Sequence, residues 1–390
     1  MESDHSIEQT HNLKYYVEDY WDIVVGILAI ITALFMHQSG QGHIATLFSA
    51  IGIAALSVTV SEVAEILSER LKEPYGSMVL TFSAVIVEIV LLYIILLEAL
   101  HAPEVIETVK GGIISAVIVD MNVLLGLAVF IGGLKFIEQE HNKETSSTYT
   151  TLLFVTALAL LVPSLLSESE HGRAALQETS IIIAAVLMVF YIIVFIFQTR
   201  THTHFFQATA RSRLFRLKRK LREGNQEIDE NERSDYLFES FNNIGNFFVI
   251  FVLIAIIALA AEIFATDGVQ LAKVYGISPG LAGLFIAIIS VSPEIFTAIK
   301  AARNDQIQRV INIAMGASVV SILLTVPILL GLAYMSGINL LLDFNPLQVG
   351  ALIMTVILAW KSTEEGQTNY FEGLSHLMFF ICYAIIAAYY

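Results

Sequence analysis

The chain has 390 residues, of which 56% are hydrophobic and only 15% charged, and its mean hydropathy is +0.72. A soluble domain of this size is less apolar and more charged. The formal charge of −15 argues against a nucleic-acid partner, and the single cysteine, Cys382, excludes an intrachain disulfide and a cysteine-based zinc site.

The N-terminal stretch MESDHSIEQTHNLKYYVEDY is polar and acidic, without the basic start and cleavage site of a signal peptide. Apolar runs of about 20 residues follow, each long enough to cross a hydrocarbon core as a helix. Only helices and closed barrels satisfy their backbones in lipid. These runs are continuous rather than alternating, so the prediction is an all-α polytopic membrane protein whose bulk partner is the lipid bilayer. The expected 11 spans are 21–37, 44–67, 76–98, 111–134, 150–166, 180–198, 244–265, 280–300, 309–334, 346–361 and 370–390. A polar segment, 199–243, interrupts the series after the sixth span. Its first part is basic (RTHTHFFQATARSRLFRLKRKLR) and its second acidic (EGNQEIDENERSDYLFE).

Orientation follows from the basic residues between spans. With a cytoplasmic N-terminus, all 21 Lys and Arg except Lys110, Arg173 and Lys273 fall on the cytoplasmic side. That places 199–243 in the cytoplasm and the C-terminus outside, in a plasma (inner) membrane of bacterial type. The spans then divide into one extra helix within 1–43, five in 44–198 and five in 244–390. An odd number per half makes the halves inverted with respect to each other, a layout common in secondary transporters. The tripeptides Ala64-Glu65-Ile66 and Ala261-Glu262-Ile263, near the ends of spans two and seven, are a faint trace of such a repeat.

Two carboxylates stand inside apolar runs. Glu88 lies in SMVLTFSAVIVEIVLLYIILL, 12 residues after Gly76, and Glu294 lies in GLAGLFIAIISVSPEIFTAI, 14 residues after Gly280. A carboxylate in hydrocarbon is costly and persists where it lines a watery cavity, holds a cation or carries a proton. One in each half points to cation transport with proton exchange. Pro293, just before Glu294, removes a backbone donor and is expected to leave a carbonyl oxygen free beside the carboxylate. Hard cations bind oxygen.

Supporting groups are expected around them. Asp120 and Asn122 sit inside span four. Glu65 and Glu262 read as cavity-mouth or proton-path residues at the ends of spans two and seven. Ser83, Ser290, Ser292, Ser318 and Ser321, with Thr81 and Ser115, read as a set of supplementary oxygen ligands, although any one of them can instead bond its own helix. His202 and His204 stand in a basic loop, where a structural role outweighs metal binding. An intramembrane aspartyl protease needs paired intramembrane aspartates, but only Asp120 lies in the interior of a predicted span. A metalloprotease needs His-Glu-x-x-His, which is absent. A cation channel is the other alternative, and it needs no proton counterflow. No cofactor is expected beyond the transported ions, calcium, sodium or potassium, and protons. A homo-oligomer is compatible with the sequence.

These residues resemble the cation/proton exchanger family of the calcium/cation antiporter superfamily, in particular its bacterial sodium(potassium, calcium)/proton branch. RLKEPYGSMVLTFSAVIVEIVLL is similar to the first alpha-repeat and GLFIAIISVSPEIFTAIKAARNDQIQRVINIAMGASVVSILLTVP to the second. FQTRTHTHFF and EEGQTNYFEGLSHLMFFICYAIIAAYY resemble the family's sequences at the end of the sixth span and at the C-terminus. The resemblance implies that Glu88 and Glu294 are the two essential alpha-repeat glutamates, that Glu65 and Glu262 match acidic positions of the preceding helices, and that Asp120 stands where many members have asparagine. It also implies two inverted five-helix halves and one extra helix. Calcium-selective members carry Gly-Asn-x-x-Glu in both repeats. Here those positions read Ala84-Val85 and Ser290-Val291, and Ile295 replaces a frequent histidine. Calcium as sole substrate is therefore not implied, and sodium or potassium gains weight.

Overall fold

The computed structural model describes residues 2–71, 75–166, 170–206 and 237–389. Most of the basic-then-acidic segment, 207–236, lies outside the described residues. Among those described, 11 helices are long and apolar enough to cross a membrane. In chain order they are α1 (Glu2–Gln38), α2 (Gly42–Arg70), α3 (Tyr75–Leu97), α4 (Val105–Phe136), α5 (Lys143–Leu166), α6 (Glu170–Ile196), α7 (Asn243–Tyr275), α8 (Pro279–Arg303), α9 (Ile307–Met335), α10 (Pro346–Thr363) and α11 (Tyr370–Tyr389). The helices match the predicted spans in number and order. Two strands, β1 (Glu138–Glu140) and β2 (Gln367–Asn369), pair antiparallel with Gln139 opposite Thr368. Gly366, at φ 78°, makes the turn into β2 that a Cβ would strain.

Several helices are longer than hydropathy predicts, α5 and α7 among them. α5 begins at Lys143 rather than near 150, because its polar first turns are built into the fold: Thr145 bonds Gln308, and Thr150 bonds its own helix through the carbonyl of Ser146. α7 runs 33 residues to Tyr275 instead of ending near 265. A helix that leaves the hydrocarbon can continue in water with polar residues, and only its apolar part is visible in hydropathy.

The chain forms two compact units, Met1–Ser83 with Asp229–Leu271, and Ala84–Ile228 with Ala272–Tyr390. In the first unit α1 packs closely on α2 at two glycines. A Cβ on Gly52 would lie 2.5 Å from Ile30 Cγ1, and one on Gly26 would lie 2.6 Å from Leu56 Cδ2. Small residues allow such approach, and dispersion contacts then hold the helices where lipid removes the hydrophobic drive. Ala33, Ala45 and Ile263 form a small core, and His37 Nδ1 lies 2.8 Å from Asp267 Oδ2.

The second unit is built on α4, which packs against α8 over its first half and against α11 over its second. A Cβ on Gly283 would lie 2.5 Å from the backbone of Gly111 and Gly112. A Cβ on Gly373 would lie 2.3 Å from Phe130 N. α8 starts on a Ser278 cap, whose Oγ accepts from Leu281 N at 3.1 Å, with Pro279 in the first turn where no donor is needed. α10 starts on a reciprocal cap between Asn345 and Gln348.

Candidate functional site

The second unit contains Glu88, Asp120 and Glu294. Glu88 projects from α3 and is buried. Its Oε2 accepts from Ser321 Oγ at 2.8 Å and from Thr325 Oγ1 at 3.2 Å, both on α9. Oε1 is buried and has no partner. Asp120, on α4 and 1% exposed, accepts from Ser318 Oγ at 3.1 Å through Oδ2, while Oδ1 is unpartnered. Glu294, on α8, is partly buried. The three carboxylates stand close enough that the charges of Glu88 and Glu294 act on Asp120, and that of Glu88 on Glu294.

A local backbone feature accounts for the aim of these side chains. α4 carries a π-turn at Asp120–Leu124, where Leu125 N–H reaches Asp120 O, and α9 carries one at Ser321–Thr325, where Val326 N–H reaches Ser321 O. A π-turn adds a residue to one helical turn and re-aims the side chains around it. In α9 it places Ser321 and Thr325 on the same carboxylate oxygen.

The expected hydroxyl set divides. Ser318 and Ser321 bond the carboxylates. Ser83 donates to Val79 O, Ser290 to Ala287 O and Ser292 to Ile289 O, each on its own helix. Ser115 lies 3.3 Å from Tyr383 Oη. The Ser292 bond corrects the expectation of a free carbonyl near Glu294. Ile289 is four residues before Pro293, so its carbonyl is the one that lacks a helical N–H. Ser292 Oγ occupies it at 2.7 Å.

Glu65 and Glu262 belong to the first unit. Glu65 is partly buried, five residues before the end of α2. Glu262 is exposed and stands in the middle of α7, with 13 helical residues after it, because α7 extends beyond its predicted end. His202 stacks on Phe197 with ring centroids 4.2 Å apart. Among the described residues no group of three His, Cys, Asp or Glu is arranged to hold a metal ion.

Two features were missed in the sequence. Asp22, in the first unit, is 1% exposed, bonded by Thr59 and left with an unpartnered Oδ1. Its position in YWDIVVG, at the edge of an apolar run, resembles an interfacial carboxylate, and nothing in composition marks it as buried. The second is the buried polar chain of Thr355, His376 and Ser362 that Asn122, itself expected as a supporting group, joins: Asn122 donates to Thr355 Oγ1 at 2.9 Å, its Oδ1 lies 3.0 Å from His376 Nδ1, and His376 Nε2 lies 2.8 Å from Ser362 Oγ. His376 within an apolar span was the available signal.

The profile of the sodium/calcium exchanger protein family matches residues 42–200 and 245–389. The chain belongs to that family. It is therefore a multi-pass membrane transporter, not an enzyme. It is 27% identical over 367 residues to the sodium-potassium/proton antiporter ChaA of Escherichia coli (strain K12), covering 93% of this chain and 94% of that protein. It is 23% identical over 290 residues to a Ca(2+)/H(+) antiporter of Aphanothece halophytica, covering 73% of this chain and 74% of that one. Its fold is similar to native YfkE, with a TM-score of 0.75 at 18% identity, covering 95% of this chain and 100% of that one. It is also similar to the H+/Ca2+ exchanger CAX, with a TM-score of 0.68 at 15% identity, covering 96% of this chain and 92% of that one.

Proposed function

We propose that this family member exchanges cytoplasmic cations for protons by alternating access, with Glu88 and Glu294 binding cation or proton in competition. The observation that carries this reading is the Glu88 carboxylate, buried, held by Ser321 and Thr325, and within reach of the charges of two further carboxylates. Buried like charges of this kind need neutralisation. Protons or a cation can supply it, but not both fully together, and that competition drives an antiport cycle.

The relatives' names include both sodium-potassium/proton and calcium/proton exchange. Val85 and Val291, each three residues before its glutamate and each buried, offer no oxygen. This favours sodium or potassium, with calcium bound weakly. The paired π-turns in α4 and α9 fit two inverted five-helix halves, 44–198 and 244–390, in which each is the third helix. Positive-inside bias supports a cytoplasmic N-terminus and a cytoplasmic 199–243 segment.

The deciding experiment is flux in proteoliposomes under an imposed pH gradient, with calcium, sodium and potassium tested side by side. Wild-type protein should take up cation only when protons move the other way. Glu88→Gln and Glu294→Gln should each abolish exchange at equal reconstituted protein. Wild-type rates in either variant, or cation flux without proton counterflow, would overturn the reading.

A further inference from the structure

His376, on α11, is 1% exposed, and Asn122, in the π-turn of α4, is wholly buried. Asn122 Nδ2 donates to Thr355 Oγ1 at 2.9 Å and to Ile118 O, one turn back on α4, at 3.0 Å. Both amide hydrogens are then spent, so Oδ1 is the acceptor and His376 Nδ1, 3.0 Å away, carries the hydrogen. A neutral ring with its hydrogen on Nδ1 accepts at Nε2, where Ser362 Oγ donates from 2.8 Å. Every polar atom of these two side chains is therefore partnered, and a buried network satisfied throughout is rigid. The ring is also seated closely on α4: a Cβ on Gly126 would lie 3.0 Å from His376 Cβ. A second tie, Ser115 with Tyr383 at 3.3 Å, stands seven residues away on each helix, so α11 holds α4 on both sides of Asp120.

Asp120 opens the same π-turn. It accepts from Ser318 Oγ through Oδ2 and leaves Oδ1 unpartnered, so its aim rests on the backbone of that turn. A π-turn is a rare, single wide step in a helix and needs support to persist. We propose that His376 is a positioning residue for cation binding: by fixing the Asn122 amide it holds the turn wide and keeps Asp120 aimed at the Glu88 and Glu294 carboxylates. This deepens the reading that these carboxylates bind the cation, and rests on it. The partners of His376 are Asn122 and Ser362, so it acts through the turn rather than by touching the cluster. Without its Nδ1 hydrogen, Asn122 Oδ1 loses its donor, the amide can turn over, and the turn can relax to an α-helical step that swings Asp120 away. The loss falls on cation affinity more than on maximal rate.

The test measures exchange in proteoliposomes with Na+, K+ and Ca2+ each varied, and records melting in detergent for the same variants. His376→Gln places its amide at the Nε2 end and loses the donor to Asn122. It should raise the half-saturating concentration of the transported cation by roughly tenfold, the size expected when a partner that orients a ligand is removed. His376→Asn, whose amide nitrogen falls where Nδ1 does, should restore most of that affinity. Asn122→Ala should match His376→Gln, and combining the two should add no further shift. If His376→Gln does not fold, Thr355→Val decides: it removes the other side-chain partner of the amide at nearly the same shape, and half-saturation should again rise. A histidine that only supports packing would lower melting in both His376 variants and leave half-saturation where it is. That result, or unchanged half-saturation in folded Thr355→Val, overturns the inference. Exchange that survives Glu88→Gln and Glu294→Gln would instead overturn the reading on which it rests.

Discussion

Ser321 Oγ donates to Glu88 Oε2 at 2.8 Å across 233 residues of sequence, and Thr325 Oγ1 reaches the same oxygen at 3.2 Å. One π-turn of α9 thus commits both of its hydroxyls to a single carboxylate on α3. A hydrogen bond to a charged group contributes more than one to a neutral group. Ser321→Ala and Thr325→Val should therefore each weaken the apparent affinity for the transported cation, the double variant by roughly tenfold or more. Maximal rate at saturating cation should change less. Cation-concentration dependence of flux in proteoliposomes checks this, and unchanged half-saturation in the double variant would refute it.

The crossing of α4 and α8 depends on backbone contact at Gly283. A Cβ there would lie 2.5 Å from Gly111 C and Gly112 N, and backbone cannot yield as a flexible side chain does. Gly283→Ala should destabilise the protein by about 1–3 kcal/mol, the usual range for overpacking. Gly331, on α9, has open space where its Cβ would be. Gly331→Ala should be neutral or stabilising by up to about 1 kcal/mol through helix propensity. Thermal melting of the two variants in the same detergent compares them directly.

A third expectation concerns acid stability. Burial pushes the His141 imidazole down from 6.5 to about 4, against the opposing hydrogen bond to Thr363 O. Between those values the unfolded chain binds a proton that the folded one does not. Stability from this site is therefore full above about pH 6.5 and is lost as pH falls toward 4. His141→Gln should flatten the melting-temperature profile across that window relative to wild type. An identical acid slope in both proteins would show that the titrating group is elsewhere.

The membrane architecture was legible because each span is a continuous apolar run that lipid makes obligatory. Glu88 and Glu294 were legible for the converse reason, since a carboxylate in such a run needs a cause. What was hidden lies in pairings across the fold. Ser290 and Ser321 are indistinguishable as letters, yet one bonds Ala287 on its own helix and the other bonds Glu88. The π-turns at Asp120 and Ser321 change one hydrogen-bond step and leave no compositional mark. The carbonyl that Pro293 frees is visible from sequence, but its occupation by Ser292 depends on the serine's rotamer. The three-residue strands are too short for an alternation pattern.

Selectivity provides the last prediction. Val85 and Val291 are each 5% exposed and each precede a glutamate by three residues, which places them beside it on the same helix face. Neither offers an oxygen. Calcium takes six to eight oxygen ligands, so a site that lacks two fixed ones must recruit water or backbone carbonyls. The carbonyl of Ile289 is already bonded by Ser292. A doubly charged ion loses more than a singly charged one from this shortage, because its dehydration costs more. Replacing both valines (Val85→Asn with Val291→Asn) should raise calcium affinity relative to sodium and potassium. A buried amide that finds no partner costs about 1–3 kcal/mol, so the variant should also melt lower without ions and recover on adding calcium. Competition flux with the three ions, together with melting with and without calcium, tests both parts. Wild-type transport of calcium at micromolar levels, unaffected by excess sodium or potassium, would show that the site needs neither asparagine.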